Sequence, residues 1–151
     1  MTRPIARDEI ALPALLRAAR EAYSAAVREG LADAGFNDVP KNGSYVMAAI
    51  GGTSAPLATI IRGLGASKQA AGQLVDTLVL RGYLERMVDE SDRRRLTVAL
   101  SARGRAAAAI VRKAAQSVDA KLLRRAGPQA VEHTRSVLFV LIGIANEGKP
   151  A

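Results

Sequence analysis

The chain has 151 residues, of which 49% are hydrophobic and 24% charged, and this composition predicts one folded domain. It has no cysteine and a single histidine, His133, which excludes disulfides and thiol redox sensing and argues against a histidine-rich metal site. The formal net charge is +8, and most of the 22 cations are arginines, which suit phosphate and guanine edges. With only 3% aromatic residues, base stacking on single strands is disfavoured.

The chain shows no signal for membrane insertion, secretion or catalysis. No apolar run approaches the roughly 20 residues of a membrane span, and residues 1–8 lack the apolar core of a signal peptide. Paired carboxylates, a Gly-x-x-x-x-Gly-Lys phosphate loop and a nucleophile elbow are all missing from the sequence. We therefore expect a cytoplasmic protein that is not an enzyme and needs no cofactor.

Long amphipathic helices are predicted at both ends of the chain. Apolar residues recur at three- and four-residue steps over 8–28, with Pro13 either tolerated near the helix start or marking its first turn. Glycine and proline then punctuate a loop up to residue 43, and a short helix is expected over 44–50. Towards the other end, helices are predicted over 102–125, capped by Ser101, and over 129–146, with a break at Gly127-Pro128.

Two short helices joined by a glycine turn are predicted in the middle of the chain. The first covers 56–64 with Pro56 in its first turn, and the second covers 68–81. Ser67 is a good N-cap for the second helix, and Gly82 is suited to end it. This arrangement is typical of a helix-turn-helix.

A charged hairpin follows the second of these helices. Residues 83–88 and 96–100 read as strands, and they flank the entirely polar segment 89–95. The fold class is therefore mainly α (α+β), with a two-stranded wing, or a three-stranded one if a residue near 53–55 joins the sheet edge. We divide the chain into an N-terminal helix and loop (1–43), a winged helix-turn-helix (44–104) and C-terminal helices (105–151).

The region from Arg62 to Arg112 carries ten cations against five anions. One interpretation is a solvated turn whose arginines pair with neighbouring acids. The other is DNA contact, because a helix of this length fits the major groove and a following hairpin can place arginines in the adjacent minor groove. The position after a helix-turn-helix favours DNA.

An ordered series of short motifs in this region resembles the MarR family of winged-helix transcriptional regulators. The resemblance covers about 56–104 and is carried by Gln73-Leu74-Val75-Asp76-Thr77-Leu78, Arg81-Gly82-Tyr83-Leu84-Glu85-Arg86, Asp92-Arg93-Arg94 and Leu100-Ser101-Ala102-Arg103-Gly104. It implies a homodimeric regulator of double-stranded DNA, expected to be a repressor. Ser101 stands where threonine is usual, Gln73 where arginine is frequent, and Val79 and Leu80 where charge is usual.

Specific DNA contacts are expected from the second helix and from the wing. Lys68 is suited to phosphate near the helix N-terminus, and Gln69 and Gln73 to adenine, unless both are ordinary exposed residues. Arg94 is expected to enter the minor groove while Asp92 holds the turn; Arg86 and Arg95 are expected to meet phosphate or an internal acid. The predicted DNA-binding residues are Ser67, Lys68, Gln69, Gln73, Arg86, Asp92, Arg93, Arg94 and Arg95.

The terminal helices predict a homodimer, because their apolar residues have few other places to be buried in a chain of this length. An isologous interface places two reading helices about one DNA turn apart on an inverted repeat; the alternative is that both helices complete a monomeric core.

The resemblance also implies a small aromatic or phenolic effector between the terminal helices and the winged helix. Its candidate pocket residues are Tyr23, Phe36, Tyr45 and Met47, although a core role is favoured for Tyr45 and Met47.

A different class of function stays open. A winged helix can also bind a protein partner or coat DNA without a specific operator. The small residues Ala70 and Gly72 and the apolar residues Val79 and Leu80 on the second helix favour this alternative.

Overall fold

A computed structural model describes residues 10–51, 54–64, 67–88 and 96–146 of the chain. Over these residues the predicted mainly α architecture is confirmed. The elements in chain order are α1 (Leu12–Asp33), α2 (Gly43–Ile50), β1 (Ser54–Pro56), α3 (Leu57–Leu64), α4 (Lys68–Leu80), β2 (Leu84–Val88), β3 (Leu96–Leu100), α5 (Ala102–Ala126) and α6 (Pro128–Asn146). The chain divides into two compact units, residues 1–115 and 116–151.

Helix α1 begins at Leu12, so Pro13 lies in its first turn. Of the two interpretations of this proline, the one in which it marks the first turn is confirmed. The helix continues through Gly30 to Asp33, past the predicted end at residue 28. A β-carbon on Gly30 would stand 3.3 Å from Ile110 Cγ2. Glycine at this position therefore allows α5 to approach α1 closely, and this packing outweighs the low helix propensity of glycine.

The strands form a three-stranded antiparallel sheet in the order β1-β3-β2, so the alternative with a third strand is confirmed. Leu84 pairs with Leu100 and Val88 with Leu96, which fixes the register of the hairpin. Pro56 pairs with Thr97 at the end of β1, so its expected place in the first turn of α3 is wrong. Proline lacks an N–H group and is tolerated on an edge strand, and α3 begins one residue later.

The core of the first unit lies between the sheet and helices α2, α4 and α5. Val46, Met47, Val75, Leu78 and Tyr83 are almost completely buried there. On α4 the buried side is Ala71, Val75 and Leu78, and Leu74 is half-buried. This packing fixes which side of α4 points outward.

Gly82 turns the chain from α4 into β2, as predicted. Its φ of 73° is a left-handed conformation that favours glycine. The Gly82 N–H donates to the Val79 carbonyl at 2.9 Å, and the Tyr83 N–H donates to the Leu78 carbonyl at 2.8 Å. These two bonds form a Schellman motif, which ties the end of α4 to the start of the hairpin.

Helix α6 in the second unit exposes large apolar side chains over much of its length. They are Val137, Phe139, Val140, Leu141, Ile142 and Ile144. Phe139 is 74% exposed and Val140 is 65% exposed. Among the described residues, no helix is long and apolar enough to cross a membrane.

Candidate nucleic-acid interface

Helix α4 presents a polar face to solvent, on the side away from Ala71, Val75 and Leu78. Ser67 caps the helix as predicted, because its hydroxyl accepts the Ala70 N–H at 3.2 Å. The exposed residues are Lys68, Gln69, Ala70, Gln73, Asp76 and Leu80. All of the predicted contact residues of this helix therefore lie on an accessible surface.

The first two turns of α4 carry the groups suited to DNA. Lys68 is the first residue of the helix, where the helix dipole favours an anion such as phosphate. Within the described residues, no hydrogen bond or ion pair holds the side chains of Lys68, Gln69 or Gln73. Their cationic and amide groups are therefore available to a ligand.

Arg86 on β2 forms an ion pair with Asp76 on α4, through its Nη2 atom and the carboxylate Oδ1. Of the two expected partners of Arg86, phosphate or an internal acid, the structure shows an internal acid. The pair links α4 to the strand that leads into the wing. Both side chains keep about half or more of their surface exposed, 63% for Asp76 and 47% for Arg86.

The wing tip lies outside the described residues, which stop at Val88 and resume at Leu96. Asp92, Arg93, Arg94 and Arg95 all belong to this segment, so their expected contacts stay predictions. The two strands that carry the segment are described, and they are paired over their full length. The segment therefore begins and ends at adjacent strand ends next to α4.

A cluster of polar side chains braces the end of α4 against the loop before α2. Asp38, Arg81, Tyr83 and Arg103 form this group, which we call the Asp38 cluster. Asp38 Oδ1 accepts hydrogen bonds from the Tyr83 hydroxyl at 2.5 Å and from Arg103 Nη2 at 2.8 Å. Arg103 also donates to the Arg81 carbonyl at 2.5 Å, and its guanidinium lies 4.4 Å from the centre of the Tyr83 ring.

The Asp38 cluster changes two protonation equilibria. The hydrogen bond from Tyr83, with help from the positive charge of Arg103, lowers the pKa of Asp38 below its ordinary value. Burial, and the hydrogen bond to Asp38, raise the pKa of Tyr83 to about 12. Both shifts favour the charged carboxylate beside the neutral phenol.

The start of α5 packs onto the same turn. Ser101 caps the helix as predicted, accepting the Gly104 N–H at 2.9 Å, and its hydroxyl donates to the Gly82 carbonyl at 2.5 Å. A β-carbon on Gly104 would stand 1.9 Å from the Tyr83 carbonyl oxygen, so this position requires glycine. The Arg-Gly-Tyr and Ser-Ala-Arg-Gly segments of the sequence thus hold each other in place.

Among the described residues, four cations of the region from Arg62 to Arg112 bind acceptors inside the protein. Arg86 and Arg103 pair with acids, Arg81 donates to the Asp38 carbonyl, and Arg105 donates to the Leu100 carbonyl at 2.8 Å. The acceptors for Arg81 and Arg103 lie 43 and 65 residues away in the chain, so local sequence patterns do not indicate them. The two ion pairs therefore offset part of the positive charge of this region, whereas the bonds of Arg81 and Arg105 to carbonyl oxygens leave their charge unchanged.

The four candidate pocket residues lie in different environments. Tyr23 and Phe36 are half-buried, and the Phe36 ring centre lies 6.2 Å from that of Tyr83. Met47 is fully buried in the core, as favoured, but Tyr45 is 48% exposed, so the expectation that it is a core residue is wrong. The inward side of α2 carries Val46, Met47 and Ile50, and Tyr45 falls outside this stripe.

Comparison with known proteins identified similar folds among solved structures. A probable transcriptional regulator from Pseudomonas aeruginosa is 26% identical, with a TM-score of 0.68, over 89% of this chain and 99% of that one. FabT from Streptococcus pneumoniae, solved in complex with DNA, is 18% identical with a TM-score of 0.71, and 89% and 95% of the two chains are covered.

A mutant MarR from E. coli, solved with operator DNA, is 19% identical with a TM-score of 0.70, again over 89% and 95% of the two chains. No protein-family model matches the chain, and no curated protein matches it. The structural similarity confirms the predicted winged-helix fold, which this chain shares with MarR.

Proposed function

We propose that this chain, which has the winged-helix fold of the MarR-type regulators, is a cytoplasmic homodimeric repressor that binds an inverted repeat in double-stranded DNA. The observation that carries the proposal is the polar surface at the start of α4, whose Lys68, Gln69 and Gln73 side chains have no partner among the described residues, within a fold that has been solved on DNA in other proteins. Helix α4 serves as the reading helix in the major groove, and the 89–95 wing contacts the adjacent minor groove.

The dimensions of α4 support insertion into a groove. Thirteen residues make a helix about 20 Å long, and residues 69–76 cover roughly 10 Å of it, within the roughly 12 Å width of the major groove. In this arrangement Lys68 contacts phosphate, Gln69 and Gln73 contact base edges, and Ser67 fixes the N-terminus that faces the backbone. Arg93, Arg94 and Arg95 contact the minor groove and its phosphates, with Asp92 holding the turn.

The exposed apolar side chains of α6 support a homodimer. Large exposed apolar side chains of this kind mark an interaction site. Leu12 and Leu15 on α1 are 52% and 42% exposed as well. In an isologous dimer on an inverted repeat, the two α4 helices lie about 34 Å apart. That spacing matches successive major grooves on one side of the duplex.

A second function is favoured by Leu80, which is 87% exposed at the end of α4. A large apolar side chain on this helix suits a protein partner, or contact with duplexes of any sequence. In this alternative the winged helix binds a protein or coats DNA without a preferred site.

Selection of bound duplexes from a random pool, at two salt concentrations, tests the proposal. The expected result is a palindromic site with two half-sites one helical turn apart. Lys68→Ala should weaken binding to all duplexes, Gln73→Ala should relax one position per half-site, and Arg94→Ala should weaken binding to any duplex at moderate salt. Lys113→Ala, which removes an exposed cation of α5, is the matched control.

Two results would contradict specific regulation. Salt-dependent binding with no preferred sequence would favour DNA coating, and no binding to any duplex would favour a protein-interaction module. Unchanged binding by Arg94→Ala would remove the wing from the interface.

Release by a small aromatic or phenolic effector completes the proposal. Tyr23 and Phe36 are half-buried, and with Tyr45 and Met47 they are the candidate walls of its site. A panel of phenolic compounds titrated into the complex with the selected duplex, followed by fluorescence anisotropy, tests this step. Release that is lost in Tyr23→Ala would support the pocket, and retention of the duplex throughout would contradict it.

A further inference from the structure

Asp76 is the one acidic residue of α4. It lies on the exposed face, three residues after Gln73 and seven after Gln69, so the three side chains share one side of the helix. A carboxylate on a surface that meets DNA is repelled by every phosphate. The ion pair with Arg86 engages one of its two oxygens, and a group on the nucleic acid that donates hydrogen bonds would suit the other.

Arg86 fixes the orientation of this carboxylate. Its Nη2 atom donates to Asp76 Oδ1, and none of the described residues donates to the second oxygen, Oδ2. One oxygen is therefore held from the side of β2, while the other has no donor among the described residues and belongs to an exposed side chain. The pairing also offsets part of the negative charge, which reduces the repulsion from the DNA backbone.

The major-groove edge of DNA offers few donors to such an acceptor. Guanine shows two acceptors there, and thymine shows an acceptor and a methyl group. Adenine shows an amino group beside the N7 acceptor, which repels a carboxylate. Cytosine shows only the N4 amino donor, and it is the base that Asp and Glu accept from.

We propose that Asp76, positioned by Arg86, is a specificity-determining residue that selects cytosine at one position in each half-site of the operator. The inference rests on the proposed function and assigns to Asp76 the cytosine N4–H···Oδ2 hydrogen bond. Arg86 acts as a positioning residue, because it holds the carboxylate and need not touch the base.

Asparagine at position 76 provides the sharpest test. Its side-chain oxygen can still accept from Arg86, but an NH₂ group then replaces Oδ2, so an acceptor becomes a donor. Asp76→Asn should change the preference at that one position from cytosine to a base with a groove acceptor, which is adenine, guanine or thymine. Asp76→Ala should lose the preference at that position, by roughly tenfold in relative affinity, and should bind random duplexes more tightly.

The experiment is selection from the random pool with the wild type, Asp76→Asn, Asp76→Ala and Arg86→Gln, followed by competition with duplexes that differ at single positions. Arg86→Gln should reduce the cytosine preference while keeping the rest of the site. Glu85→Gln is the matched control, because it removes one negative charge from the other face of β2 and should leave every position unchanged. A purely structural role for Asp76 would not alter the preferred base at a single position.

Two results would overturn the proposal, and they can be told apart. A wild type that selects no site removes the proposed function and this inference together. A wild type that selects a site, with Asp76→Asn and Asp76→Ala retaining the same base at every position, overturns the role of Asp76 alone.

Discussion

The backbone carbonyl oxygen of Tyr83 occupies the space where a β-carbon on Gly104 would stand, at a separation of 1.9 Å. The same oxygen accepts the Ser101 N–H at 3.1 Å. The start of α5 and the end of the α4 turn are therefore in direct backbone contact, and one methyl group is enough to separate them.

Gly104→Ala should destabilise the fold by about 3 kcal/mol, at the upper end of the usual cost of overpacking, because the obstacle is backbone rather than a flexible side chain. Chemical denaturation followed by circular dichroism measures the change. Gly72→Ala is the control. A β-carbon there meets no described atom within 4 Å, so it should stabilise α4 by about 0.5–1 kcal/mol. Equal effects of the two substitutions would contradict the close contact at Gly104.

The two serine caps should differ in their contribution to stability. Ser101 is 7% exposed and joins the Gly104 N–H to the Gly82 carbonyl, whereas Ser67 is exposed and its side chain makes one hydrogen bond, the cap bond, to the described residues. We expect Ser101→Ala to cost about 2 kcal/mol and Ser67→Ala about 1 kcal/mol. Denaturation of both variants under one condition gives the comparison, and a larger loss for Ser67→Ala would show that burial of the Ser101 bridge adds nothing.

Stability should fall in alkali through the ionisation of Tyr83. Its pKa in the folded protein, about 12 against an ordinary 10.0, means that the unfolded chain loses this proton first as the pH rises. The contribution is therefore complete below pH 10 and lost as the pH rises towards about 12. Denaturation over this pH range should show the loss for the wild type, and Tyr83→Phe should lack this component.

The protonation of Asp38 should lower the stability of the fold in acid, whereas the ionisation of Tyr83 lowers it in alkali. Its pKa is lowered below 3.8, so its contribution is present above that value and is lost as the pH falls through the folded-state pKa. Because the hydrogen bond from Tyr83 is the main cause of this shift, Tyr83→Phe should also reduce the acid-side loss. An unchanged acid profile in this variant would show that the two groups do not interact in solution.

A charge on the exposed side of α6 should prevent the proposed dimer. Phe139→Glu places an unpaired carboxylate among apolar side chains, and we expect the dissociation constant of the dimer to rise at least about a hundredfold. Light scattering at micromolar concentration measures this, and DNA affinity should fall with it. Thr134→Glu adds the same charge at an exposed polar position of α6 and should remain dimeric. A wild type that is monomeric in this measurement would contradict the homodimer.

Local signals predicted most of the fold. Ser67, Gly82 and Ser101 each act on their immediate neighbours, so the helix ends that they set could be read from a few residues. Pro56 was misplaced because the same lack of an N–H suits a helix start and an edge strand, and only the pairing partner Thr97 decides between them. Tyr45 was expected in the core but is exposed. The buried stripe of α2, which excludes Tyr45, depends on which side of this helix packs against the rest of the core.

The candidate site was predicted less completely, for a physical reason. The exposed face of α4 follows from helical period alone, so Lys68, Gln69 and Gln73 could be named in advance. The Asp38 cluster could not, because it brings together residues from the loop before α2, the end of α4 and the start of α5. Nothing in the sequence around Arg103 distinguishes an arginine that pairs with an internal acid from one that contacts DNA.

The ion pairs of Arg86 with Asp76 and of Arg103 with Asp38 limit how many counterions the proposed DNA-binding surface can displace from a duplex. Each phosphate neutralised contributes about 0.9 to the slope of log affinity against log salt. The eight other cations between Arg62 and Arg112 set a ceiling of about 7 for one DNA-binding head, against about 9 for all ten. With a smaller slope, the electrostatic attraction that is the same for every DNA sequence contributes less to the affinity. In the proposed function, contacts with bases then contribute more to the choice of binding site.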